Sequence, residues 1–142
     1  MSQLLIQNLL DALAVSPDNI PLRLQVADLM VKEKMFTEAA EQFQLVLNKS
    51  YGNSKAQLGL AHCYFAQEKY SAAIIIYEQA GSMPAEDQLI YIKCLIRENS
   101  IAQAVNEYQK LIALHPGMRD DEIDGHLRVS SAGTPVNEDE AD

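Results

Sequence analysis

The residues able to do chemistry are few and badly placed for it. His62 and Cys63 are adjacent, and neighbours on a helix point about 100° apart, so they cannot pair as base and nucleophile. Cys63 and Cys94 form no CxxC motif, which points to a reducing compartment rather than a disulfide framework. His115 lies at an expected helix end and His126 near the C-terminus. The three histidines follow neither HExxH nor any other metal-ligand spacing. There is no GxxxxGK and no glycine-rich phosphate loop. No catalytic residue, metal or cofactor is expected, and the chain reads as a non-enzyme.

Charge and composition narrow the remaining classes. The net charge is −9 over 142 residues. Residues 118–142 hold eight acidic and two basic residues, against twelve and nine in residues 1–117. An acidic chain repels phosphate, so neither nucleic acid nor an anionic membrane is an expected partner. Hydrophobic residues make up 48% of the chain, enough to bury a core. The N-terminus lacks a basic stretch and carries Asp11 among its apolar residues, which makes a poor signal peptide. No apolar run approaches the 18 or so residues of a membrane span. A cytoplasmic location is the expectation.

The elements that position these residues follow from an internal repeat. Phe36, Ala39, Phe43 and Val46-Leu47 recur 34 residues later as Tyr70, Ala73, Tyr77 and Ala80-Gly81. They recur after 31 more as Ile101, Ala104, Tyr108 and Leu111-Ile112. Stepping back by 34 gives Leu5, Leu9 and Ala12-Leu13, which is half a unit. Val26-Ala27 and Met30 likewise recur as Leu60-Ala61 and Tyr64, then as Tyr91-Ile92 and Leu95. Each segment is apolar at i, i+3, i+4 and i+7, the stripe of an amphipathic helix. This predicts helices over 3–15, 20–33, 36–48, 54–66, 70–81, 86–98 and 101–114, joined by short polar links.

This unit resembles the tetratricopeptide repeat: a 34-residue helix-turn-helix with a small residue in each helix and an aromatic four residues after the second. The resemblance covers residues 2–116. It implies an all-α fold, a right-handed superhelical stack of antiparallel helix pairs (an α-solenoid) with about three repeats after an N-terminal half repeat. The family's Trp position holds Arg23, Gln57 and Gln88, and its first-helix Gly position holds Ala27, Ala61 and Ile92. Ile92 is large for a close helix approach. The expected divisions are a repeat domain over 1–117, a capping segment over 118–129 built on Ile123 and Leu127 and broken at Gly125, and a disordered acidic tail over 130–142.

The resemblance also implies a concave groove lined by the first helices of the units. Carried over residue by residue, it places Leu24, Asp28, Val31, Leu58, His62, Phe65, Leu89, Lys93, Ile96 and Arg97 there, with Lys32 and Lys55 at the rim. The subset of the family that clamps a chaperone's C-terminal carboxylate needs a Lys and two Asn; here Leu24, Asp28 and Gly59 stand at those positions, so that ligand is rejected. An apolar strip with a polar line of Asp28, His62 and Lys93 suits an amphipathic helix or apolar peptide. The expected function is an adaptor or scaffold holding a protein partner. Two alternatives stand beside it. One is self-association through Leu4, Leu5, Leu9 and Leu13 into a homodimer. The other rests on His126-Leu127-Arg128-Val129 and the acidic residues after it, which resemble the N-terminal segments of some bacterial AAA-type ATPases and imply a regulatory segment of a larger ATPase.

Overall fold

A computed structural model of the chain describes residues 2–132. Among them every regular element is helical: α1 (Ser2–Val15), α2 (Ile20–Lys32), α3 (Phe36–Lys49), α4 (Ser54–Ala66), α5 (Tyr70–Ala80), α6 (Ala85–Arg97), α7 (Ile101–Leu114), a 3-10 turn (Pro116–Met118) and α8 (Asp121–Ala132). The first seven end within one residue of their predicted limits. The chain forms two compact units, Met1–Met83 and Pro84–Asp142.

In the first unit α2 packs on α3, α3 on α4 and α4 on α5, while α1 packs on α2. Local signals set the helix ends. Asn19 and Asn53 accept the backbone N–H of Leu22 and Ala56 at 3.1 and 3.0 Å, capping α2 and α4, and each such cap is worth about 1 kcal/mol. The C-termini of α2, α4 and α6 close in one way. Met35, Lys69 and Ser100 donate to the carbonyls of Met30, Tyr64 and Leu95, each at 2.8 Å. That wrap requires a left-handed residue just before, and Lys34, Glu68 and Asn99 all sit at φ 61°. Asn tolerates this region, whereas Lys and Glu carry steric cost there.

Small residues let the helices approach. Ala27, Ala39, Ala61 and Ala73 are fully buried. At Gly59 a β-carbon would lie 2.3–2.6 Å from three ring atoms of Phe43. Phe43 is itself 1% exposed, so its ring has no open side to retreat to. Here α3 and α4 meet ring against backbone.

In the second unit α6 packs on α7, with Tyr91, Ile92 and Leu95 from one and Ala104, Tyr108 and Leu111 from the other all buried. Ile92 is accommodated in full despite its size. α8 packs on α7. The Tyr108 hydroxyl anchors its start, accepting from Asp120 N–H at 2.9 Å and donating to Asp120 C=O at 3.2 Å. Asp120 Oδ1 then caps the helix through Ile123 N–H at 3.0 Å. The break expected at Gly125 does not occur, and residues 130–132, expected in the tail, are helical. Gly125 costs the helix about 1 kcal/mol. Ile123 and Leu127, one turn apart on either side of it, are buried and contribute roughly 1.5–3 kcal/mol each. Residues 133–142, the rest of the expected tail, lie outside the described residues.

Two substitutions test this packing. Gly→Ala inside a helix ordinarily stabilises by about 1 kcal/mol. Gly59→Ala is expected instead to destabilise by roughly 1–3 kcal/mol in urea unfolding, because the methyl overpacks Phe43; combining it with Phe43→Leu should recover part of the loss. Glu68→Gly, which removes the left-handed strain, should raise stability by about 0.5–1 kcal/mol. A thermal melt that falls for Glu68→Gly would show that the strain is absorbed elsewhere.

Candidate functional site

The first unit brings α2 and α4 side by side. Leu24, Asp28 and Val31 lie on α2, and Leu58, His62 and Phe65 on α4. Leu24 and Val31 pack partly against the core. Leu58, His62 and Phe65 are half-buried, and Asp28 is exposed. None of the six is buried outright, so each retains surface for a ligand. Lys32 and Lys55 are exposed.

Two aromatic contacts organise the α4 residues. The His62 ring lies against Phe36, centroids 6.3 Å apart at 31°. Phe65 meets Tyr70 edge-on, with centroids 6.0 Å apart at 62°. Such pairs fix ring orientation and contribute about 0.5–1.5 kcal/mol each. Phe36 and Tyr70 open α3 and α5. Sequence reasoning read them only as packing residues of the repeat; an aromatic at the start of two second helices 34 residues apart was the signal that could have found them.

In the second unit Leu89, Lys93, Ile96 and Arg97 lie on α6. Leu89 and Ile96 are half-buried and Arg97 is exposed. Lys93 was expected to belong to a polar line with Asp28 and His62. Its ammonium stands 4.0 Å from Asp120 Oδ2, a partner supplied by the segment before α8. A loose, part-exposed pair of this kind contributes about 0–1 kcal/mol, so it orients the lysine more than it stabilises the fold.

Electrostatics disfavours chemistry at the sulfurs. Burial pushes the Cys63 thiol up to about 11. Burial, reinforced by the nearby Glu98 carboxylate, pushes Cys94 up to about 12. Near neutral pH both stay protonated, and the thiol is a poor nucleophile and a poor metal ligand. Among the described residues no three His, Cys, Asp or Glu side chains gather as a metal site, and no helix is long and apolar enough to cross a membrane.

Geometry also bears on the missing carboxylate clamp. Any residue with a β-carbon at position 59 meets the Phe43 ring, so an Asn cannot be seated there unless that buried ring shifts.

Residues 30–90 match the sequence profile of the tetratricopeptide repeat. The chain also superposes on the crystal structure of YrrB, described as a TPR protein with an unusual peptide-binding site. The TM-score is 0.72 at 16% identity, over 87% of this chain and 64% of that one. The chain thus spans less than two thirds of that protein. No curated protein sequence matches. Residues 30–90 thus carry tetratricopeptide repeat sequence, and the chain shares its fold with a TPR protein.

Proposed function

We propose that this repeat protein is an adaptor that holds a segment of a protein partner on the face formed by α2 and α4. The observation that carries the reading is the row Leu24, Val31, Leu58 and Phe65, four apolar side chains left half-buried on adjacent helices. Apolar surface kept open beside charged residues suits the apolar face of an amphipathic helix or a hydrophobic peptide. Asp28, exposed among them, would pair with a basic residue of the partner. Leu89, Ile96 and Arg97 on α6 offer the same residue types at the same repeat phase. The peptide-binding role stated for YrrB is of the same kind. In this reading residues 1–117 are the binding domain, α8 caps its last helix pair, and the setting is the reducing cytoplasm.

A second reading has its own observation. Leu4 and Leu5 on α1 are 64% and 46% exposed, so α1 could pair with α1 of a second copy across a two-fold axis. Light scattering separates the two, because the adaptor works as a monomer and the dimer does not exist as one.

Leu58→Glu places a charge in the apolar row at a position with room for it, so helicity by circular dichroism should be unchanged. Partner capture from native lysate should fall about 100-fold, the effect of losing roughly 2–3 kcal/mol at a central contact. Equal capture by both chains would move the function off this face.

A further inference from the structure

A different part of the first unit offers a second binding site. Between α3 and α5, with α4 behind, is a cleft of about 550 Å³, within the range of ligand sites. The apolar Leu47, Leu60 and Ile76 line it together with four carboxamides, Gln44, Asn48, Gln57 and Gln79, and no charged residue does. Tyr51, at the rim, is 90% exposed.

The repeat shows why the cleft is open. In the preceding unit Arg23 closes the equivalent place, donating to Gln42 Oε1 at 2.6 Å and to the Pro17 carbonyl at 3.0 Å. Moving those three positions on by 34 gives Gln57, Ile76 and Tyr51, and all three line the cleft. Gln57 is shorter than Arg23, and Ile76 offers no acceptor where Gln42 did. The closure is therefore lost and the cleft stands open.

The lining selects the ligand. A carboxamide carries donors and an acceptor, the same set as a peptide group. Gln44 Nε2 donates to Asn48 Oδ1 at 3.2 Å, which uses one of the pair's donors and leaves the others. An extended chain has backbone N–H and C=O groups free to meet them, whereas a helix has already satisfied its own. A charged side chain would lose hydration here without gaining a countercharge. We propose that the cleft between α3 and α5 binds an extended, uncharged peptide segment through Gln44, Asn48, Gln57 and Gln79, with its side chains on Leu60 and Ile76 and with Tyr51 folding over it. This site is independent of the α2–α4 face.

The test uses the full chain, labelled with 15N, and an equimolar pool of end-blocked pentapeptides built from Ser, Asn, Val and Leu. A second pool carries one Lys or Glu in every peptide. The uncharged pool is expected to shift the side-chain amide resonances of the four carboxamides, and the charged pool to bind at least tenfold more weakly. Gln57→Arg with Ile76→Gln, which transplants the closure of the preceding unit, should abolish the shifts. Gln44→Glu with Gln79→Glu, both at exposed positions, should do so too without touching the core. Leu58→Glu should leave them unchanged, which separates this site from the face on α2 and α4. Absence of shifts at the four amides, equal binding of the two pools, or full binding by the Gln44→Glu/Gln79→Glu chain would overturn the proposal.

Discussion

The Phe43 ring lies where a β-carbon on Gly59 would have to be, and much of the first unit is arranged around that contact. A buried aromatic contributes more apolar area than any aliphatic residue, but only if its flat face finds a flat surface. Bare helical backbone at a glycine is such a surface. The contact seats the Phe43 ring of α3 directly on the backbone of α4 at Gly59. α4 in turn packs on α5 and touches α2, so the spacing of the first-helix face is coupled to one ring. It also decides chemistry: a glycine forced at position 59 leaves no polar side chain there to grip an anionic ligand.

The same economy recurs along the chain. Ala39, Ala73 and Ala104 are all fully buried, and each is followed four residues on by a buried aromatic, Phe43, Tyr77 or Tyr108. Tyr108 uses its hydroxyl to hold a following segment, through both backbone groups of Asp120. A repeat position has there become an anchor for a non-repeated helix. With no polar or charged residue buried among the described residues and both thiols protonated, the interior is given over to packing. Whatever specificity the protein has must reside on its surfaces.

Equivalent positions need not do equivalent work. Arg23 and Gln57 share a repeat phase, yet one bridges the Gln42 side chain and the Pro17 carbonyl while the other borders open space. A stack of similar units tolerates this, because each unit's stability depends mainly on its neighbours' apolar faces and not on every polar position. Drift at such a position costs little in folding and leaves a cleft behind.

The helices and the order of their pairing were legible in the residues alone. Periodicity of 3.6 and a 34-residue recurrence are written in the order of residue types along the chain, with no need of the packed fold. The passage of α8 through Gly125 was not, because burial of Ile123 and Leu127 against α7 outweighs a propensity that acts within the segment. Nor was the approach of Lys93 to Asp120, 27 residues apart in sequence, or the stacking of His62 on Phe36. The open cleft beside Gln57 was least legible of all. It depends on whether two side chains from neighbouring helices and a turn carbonyl meet, and only the packed unit decides that.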